Sequence, residues 1–328
     1  MHASRKSVMK HLEPFIDDQW PKLLRSTEQL WQPSDFLPDF TSKPATEELP
    51  ELQAEAARLP DDILNSLVGD TITEEALPTY AQWLASMEGV GGAGCTDSTP
   101  WAAWNRAWCA EENRHGDALA TYLRLSGRVR MREVELSIHH LVYDGMDIQT
   151  GSDPYRFFVY TSFQELATLR SHRSVGRMAE SAGAPRLAKM NRVIAGDEGW
   201  HAKAYRLFIQ KFLEIDTDEA VLAISDMFRK KIIMPAMNLR ESGGEKGNAF
   251  KRFEVLAQRA EVYTSRDYIE IMEFLIDEWK LEQLTGLSVE AQDARDFACA
   301  LPGRYRKALE RRRETVGDDE PIHFSWMV

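Results

Sequence analysis

Two short stretches, "AEENRHGD" (Ala110–Asp117) and "DEGWHAKAY" (Asp197–Tyr205), constrain this 328-residue chain more than any other. Each sets a glutamate and a histidine three residues apart inside an apolar stripe. One stripe runs Leu187, Met190, Ile194, Glu198, His201, Tyr205, Phe208 and Phe212; the other runs Trp101, Trp104, Trp108, Glu112, His115, Leu119 and Tyr122. Every step is three or four residues, the spacing of one helix face. Both Glu–His pairs are therefore expected on buried faces. An unpaired carboxylate is costly to bury. Side chains at i and i+3 lie side by side and can converge on one ion, so a repeated pair points to a shared metal centre.

The remaining chain reads as helix after helix, with apolar residues recurring at three and four. Helices are expected at about 7–29, 48–58, 60–88, 99–125, 130–145, 154–182, 184–213, 217–239, 247–262, 265–283 and 288–314. Turn-rich breaks such as "TGSDP", "SAGAP" and "ESGGEKG" separate them. The tail beyond about 315 reads as a small irregular or hairpin appendage. "GVGGAG" (Gly89 to Gly94) fits a dinucleotide fingerprint, but that motif must follow a strand, and helix precedes it here.

A metal pair needs further anionic ligands. "TEEALPTY" offers Glu74 or Glu75; Glu74 follows Leu67 and Thr71 at helical spacing, and Pro78 should kink the helix there. "TSFQELAT" offers Glu165, in line with Phe158, Ser162 and Leu169. The order becomes Glu74, Glu112-x-x-His115, Glu165, Glu198-x-x-His201. One helix pair is used twice with a long crossover between, as in ferritin-like four-helix dinuclear carboxylate bundles. Four carboxylates and two imidazoles make a hard, oxygen-rich site that suits iron first and manganese second.

Composition narrows the classes. A net charge of −12 argues against nucleic-acid binding, and no apolar run reaches the roughly 18 residues of a membrane span. The N-terminus lacks the apolar region of a signal peptide. Cys95, Cys109 and Cys299 form no CxxC, so neither a zinc site nor a disulfide framework is expected. His2, His11, His139, His140, His172 and His323 show no ligand spacing.

"WQPSDFLPD", "VGDTITEEALPTY", "RAWCAEENRHGD", "YTSFQELAT", "SDMFRKKIIMPA", "LPGRYR" and "HFSWM" together resemble the soluble acyl-acyl-carrier-protein desaturases, typified by the plant stearoyl enzymes. The resemblance runs over nearly the whole chain. It implies an all-α, ferritin-like di-iron bundle over about 60–213 with flanking helices, in one domain spanning residues 1–328. It assigns Glu74 (rather than Glu75), Glu112, His115, Glu165, Glu198 and His201 as ligands to two Fe ions. It places Thr168 beside the oxygen-binding side, and Trp31, Asp197 and His115 on a route for electrons. The implied reaction is O2-dependent formation of a cis double bond, delta-9-type, in an acyl chain on acyl carrier protein. Ferredoxin supplies the electrons, and a homodimer is implied. The compartment would be bacterial cytoplasm or plastid stroma. Rival readings are a di-iron hydroxylase or N-oxygenase, an iron-storage protein, and a non-catalytic carrier-binding homologue.

Two departures from the plant pattern stand out. Trp83 occupies a position where methionine is usual, in a channel wall that also includes Ser86 and Met87; a shorter or reshaped acyl channel is expected. Gly199 and Trp200 replace a more basic pair and should face away from the metal. For an acidic carrier or ferredoxin, the expected docking cluster is Arg229, Lys230 and Lys231. Arg304, Arg306, Lys307 and Arg311 to Arg313 form a second basic stretch, more simply read as a solvated helix face.

Overall fold

The computed structural model describes residues 4–41, 44–90, 97–312 and 322–328. Among these the chain forms twelve α-helices, three short 3-10 turns and no strand. The helices are α1 (Arg5–Leu23), α2 (Ala45–Ala56), α3 (Asp61–Glu75), α4 (Leu77–Ser86), α5 (Pro100–Ser126), α6 (Met131–Asp144), α7 (Pro154–Ser181), α8 (Pro185–Ile215), α9 (Thr217–Lys230), α10 (Asn248–Arg259), α11 (Ser265–Glu278) and α12 (Val289–Arg312). The long helices start where the sequence supplies caps. Thr99 accepts from the Ala102 amide ahead of Pro100, and Asp153 accepts from the Tyr155 amide ahead of Pro154. A proline at the first helical position wastes no hydrogen bond, because that amide has no partner in the helix.

Four helices make the core. α3 packs on α5 and α7, and α8 packs on the same two, closing a four-helix ring. α7 and α8 form a hairpin across the tight turn at residues 182–184, where the Ala184 amide returns to the Ala179 carbonyl at 2.8 Å. α1 and α2 lie on α5 and α8; α9 and α11 cover α7; α10 and α6 lie on α3.

The core is layered along the bundle. Trp101, Trp104, Phe158, Tyr205, Phe208 and Phe212 fill one apolar cluster. Leu64, Leu67, Ile72, Leu119, Tyr122, Leu187 and Ile194 fill the other. On α5, α7 and α8 the two clusters are separated by a buried polar band that includes Glu111, Glu112, Arg114 and His115, then Glu165, Ser171 and His172, then Asp197, Glu198 and His201. Burying each large apolar side chain stabilises the fold by roughly 1.5–3 kcal/mol. A buried polar group without a partner costs a comparable or larger amount, so the band stands only if its charges are compensated.

Four expected helices end differently, the 265–283 helix by stopping at Glu278. The 60–88 segment is two helices, α3 and α4, meeting at Ala76; Pro78 starts the second rather than kinking one continuous helix. The first helix stops at Leu23 instead of running to 29. α9 stops at Lys230 rather than 239, because Lys231 turns to φ 64° and Pro235 follows. The tail folds back: Val129 and Met327 make an isolated antiparallel bridge, and Trp326 is buried with its indole N–H on Asn65 Oδ1 at 2.9 Å. Cys95 and Arg313 lie outside the described residues, as does most of the glycine-rich loop. Cys109 and Cys299 are free thiols.

Candidate metal centre

The polar band gathers all six expected ligands. Glu74, Glu112, His115 and Glu198 bring one ligand atom each to within 4.8 Å of one another, and so do Glu112, Glu165, Glu198 and His201. The two groups share Glu112 and Glu198. Two cations could be held here, with Glu112 and Glu198 common to both, Glu74 and His115 serving one position and Glu165 and His201 the other. His115 Nδ1 lies 3.0 Å from Glu198, 3.2 Å from Glu112 and 3.6 Å from Glu74. His201 Nδ1 lies 2.6 Å from Glu112 and 3.6 Å from Glu165.

The donor set fits a metal pair on a second count. His115 Nδ1, His201 Nδ1, Glu112 Oε1 and Glu198 Oε1 are all buried, and none makes a well-directed hydrogen bond. Groups that crowd together without bonding one another share a missing common partner. Four glutamates are balanced in formal charge by two divalent ions, and oxygen-rich ligation suits hard metals such as iron or manganese.

Electrostatics say the same. Burial pulls both imidazoles down, but the Glu112 charge and neighbouring carboxylate hydrogen bonds outweigh it and hold His115 and His201 well above their ordinary value. Burial pushes Glu165 well above the carboxylate range, reinforced by the charges of Glu112 and Glu198. Burial also acts to raise Glu112, yet the charges of His115 and His201 keep it below that range. These carboxylates need counter-charge, from protons or from metal.

Behind each imidazole stands an acid. His115 Nε2 faces Asp197 Oδ2 at 3.4 Å, and His201 Nε2 faces Glu111 Oε2 at 3.0 Å. Each acid immediately precedes a ligand glutamate on the opposite helix, so the arrangement has twofold character. Such a partner fixes the tautomer and orients the other ring nitrogen toward the metal. Asp197 was expected; Glu111 was not. Its signal was present, because both motifs read acid-Glu-x-x-His: "EENRH" and "DEGWH". Trp31 joins from outside the bundle. Its indole N–H donates to Asp197 Oδ2 at 2.7 Å, and its ring stacks on His115 with centroids 5.9 Å apart. Trp31, Asp197 and His115 therefore form a continuous contact chain. The Thr168 hydroxyl donates to Glu198 Oε2.

The bland expectation for His172 needs correction. It is buried one turn beyond Thr168, with Nε2 3.1 Å from Glu74 Oε1 and Nδ1 3.0 Å from Asn191 Oδ1. It lies seven residues after Glu165 on the same face of α7, a spacing that could have revealed it. Gly116 has a role of its own. A Cβ there would lie 2.8 Å from Glu75 Oε1 and 3.3 Å from the Glu74 backbone carbon. A side chain there would have to displace the Glu75 carboxylate and press on the Glu74 backbone, so glycine eases the close approach of α3 to α5 beside Glu74.

Comparison with known proteins decides the family. The fatty acid desaturase family matches residues 4–328. The chain belongs to the fatty acid desaturase family. It is 46% identical over 327 residues to a chloroplastic acyl-[acyl-carrier-protein] desaturase of Cucumis sativus, covering 100% of this chain and 82% of that one. It is 45% identical over 327 residues to the chloroplastic stearoyl-[acyl-carrier-protein] 9-desaturase of Ricinus communis, with the same coverage. In three dimensions it is similar to DesA2 of Mycobacterium tuberculosis, a candidate acyl-ACP desaturase. The TM-score is 0.55 at 18% identity, over 88% of this chain and 99% of the other, a likeness of fold.

In this desaturase-family chain the three expected channel residues differ in setting. Met87 is buried, and Trp83 packs half-buried against the aromatic cluster. Ser86 is exposed, and its hydroxyl donates to the Trp83 carbonyl at 2.8 Å. Trp200 is 40% exposed on the outer side of α8, as expected, with the Lys203 ammonium over its ring. The two basic stretches meet: the guanidiniums of Arg229 and Arg304 lie over the same Phe297 ring, at 4.3 and 5.2 Å. Lys230 is engaged by Asp226 at 2.8 Å and by the Gln149 carbonyl, Lys231 is exposed, and Arg306 pairs with Glu273. Among the described residues no helix is long and apolar enough to cross a membrane.

Proposed function

We propose that this enzyme introduces a cis double bond into a saturated acyl chain carried on acyl carrier protein, at a pair of iron ions. The observation that carries the reading is the pair of ligand groups sharing Glu112 and Glu198 inside a desaturase-family bundle. Glu74 and His115 would hold one ion, Glu165 and His201 the other, and Glu112 and Glu198 both. The metal pair supplies O2 activation: two electrons, two protons and O2 take two hydrogens from adjacent carbons and leave an olefin and two waters.

The protein's own residues supply position and dryness. Asp197 and Glu111 orient the two imidazoles. Thr168, on Glu198, stands ready to hold a proton at its Oγ1 beside the centre. Trp31, stacked on His115 and bonded to Asp197, is the route for electrons from ferredoxin. Arg229, Lys230 and Lys231 form the docking surface for the acidic carrier, and the functional unit is a homodimer. Trp83 narrows the acyl channel, with Ser86 and Met87 beside it, and the exposed setting of Ser86 is consistent with the open end of that wall. Residues 1–328 act as one domain.

The test is incubation of iron-loaded protein with ferredoxin, its NADPH-dependent reductase, O2 and acyl carriers of fourteen, sixteen and eighteen carbons. Mass spectrometry reads the products. A monounsaturated chain is expected, with a preference below eighteen carbons. Trp83→Met should shift that preference toward eighteen; an unchanged preference removes Trp83 from the channel. A hydroxylated product, or O2 uptake without olefin, overturns the desaturase reading.

A further inference from the structure

Both acids behind the imidazoles are held by one residue outside the bundle. α1 ends at Leu23, so the Arg25 amide has no helical acceptor and instead donates to Glu111 Oε1 at 2.8 Å. The Arg25 guanidinium turns the other way, and its Nε donates to Asp197 Oδ1. The second oxygen of Asp197 already receives Trp31 Nε1 at 2.7 Å and Arg114 Nη2 at 3.2 Å, and faces His115 Nε2. The two oxygens thus divide their work, with Arg25 on one and the imidazole side on the other. The Asp197 side chain is fully buried, while that of Arg25 is 28% exposed. Gly196 makes the approach feasible: a Cβ there would lie 3.0 Å from Arg25 Nη2.

We infer that Arg25 is a positioning residue for both metal-facing imidazoles, its side chain fixing the acid behind His115 and its main chain fixing the acid behind His201. This rests on the metal centre proposed above. It has a consequence that a general packing role lacks. Replacing the side chain frees Asp197 Oδ1, keeps the contacts on Oδ2 and leaves the amide on Glu111, so only one of the two metal positions should change. Outer partners of metal-ligating histidines typically govern 10- to 100-fold in metal affinity.

The experiment titrates Fe(II) anaerobically into wild type, Arg25→Gln and Arg25→Lys, with a competing chelator. Mössbauer spectra then resolve the two subsites. Wild type is expected to bind two ions. Arg25→Gln should weaken one position about ten-fold and leave the other within about two-fold. Arg25→Lys, which retains a cationic donor, should recover most of the loss. The inference is overturned if Arg25→Gln binds both ions as wild type does. It is equally overturned if both positions weaken together and lysine does no better than glutamine. Wild type that binds fewer than two ions defeats the metal reading itself, and the inference with it. Two ions with the predicted asymmetry but no olefin in the product assay would sustain the inference while defeating the desaturase reading.

Discussion

The two candidate metal positions have the same skeleton and different surroundings. Each combines one private glutamate, one imidazole, an acid behind that imidazole and the two shared carboxylates. Around Glu74 and His115 the setting is polar and linked outward: His172 and Asn191 behind Glu74, then Asp197, Arg114, Arg25 and Trp31 behind His115. Around Glu165 and His201 it is aromatic. Trp108 meets His201 edge-on at 6.5 Å, and Tyr205 meets Trp108 at 6.2 Å and Trp104 at 5.6 Å. Burial raises Glu165, whereas Asp197 is held down at about 2: burial opposes this, but hydrogen bonds and charge from His115 and Arg25 prevail. The contrast divides the site into a wired side, linked by polar contacts toward the surface, and a dry side lined by aromatic rings. Under the proposed function the first would admit electrons and protons, and the second would take the apolar substrate and O2.

Removing a shared ligand should break this comparison most severely. Glu112→Ala is expected to lower iron uptake from two ions per chain to fewer than one, because both positions lose a ligand. Glu165→Ala should leave the wired position loaded, at about one ion per chain. Equal losses in the two variants, read by iron analysis, would show that the carboxylates are not shared.

A smaller effect sharpens the wired-versus-dry distinction. Asp197→Asn and Glu111→Gln should each weaken metal binding about 10- to 100-fold at their own position. Only Asp197→Asn should also slow reduction of the loaded centre by ferredoxin, followed by stopped-flow absorbance. If Glu111→Gln slows reduction as much, electrons do not favour the Trp31 side.

The smallest effect lies outside the bundle, at the start of α11. Asp267 completes a capping box with Thr264 at the start of α11 and pairs with Arg170 at 2.9 Å. Burial acts to raise its carboxyl, but the Thr264 and Arg170 hydrogen bonds hold it below the usual range. A depressed carboxyl contributes stability that is present above its unfolded pKa and lost as pH falls through the folded one. Asp267→Asn should therefore cost roughly 0.5–1 kcal/mol near neutrality. The gap from wild type should close as pH drops below about 4. A gap that persists unchanged in urea melts at low pH would mean the carboxylate charge contributes nothing.

Much of the bundle was readable because its signals are periodic. The stripes on α5 and α8 place Glu112, His115, Glu198 and His201 directly, and lone glutamates on two more helices complete the ligand set. What escaped was set by tertiary packing. Glu111 hid in a doublet of glutamates, and His172 stands two turns from Glu165 with no carboxylate or imidazole at three or four residues. Arg25 sat inside a helix expected to run to 29; its role appears only because the helix stops at Leu23 and frees an amide. The break at Ala76 was visible as a proline, but whether the chain would kink or restart depends on how α4 packs against α5. The resemblance settled Glu74 over Glu75, a choice that helical spacing alone favoured without deciding.

The central claim, that Glu112 and Glu198 would serve both of two iron ions, is tested most directly by anaerobic loading followed by oxidation and low-temperature Mössbauer and EPR spectroscopy. The account predicts two ferric ions per chain that couple antiferromagnetically into an EPR-silent ground state. One ion per chain, or an EPR signal from isolated high-spin ferric iron, would contradict it.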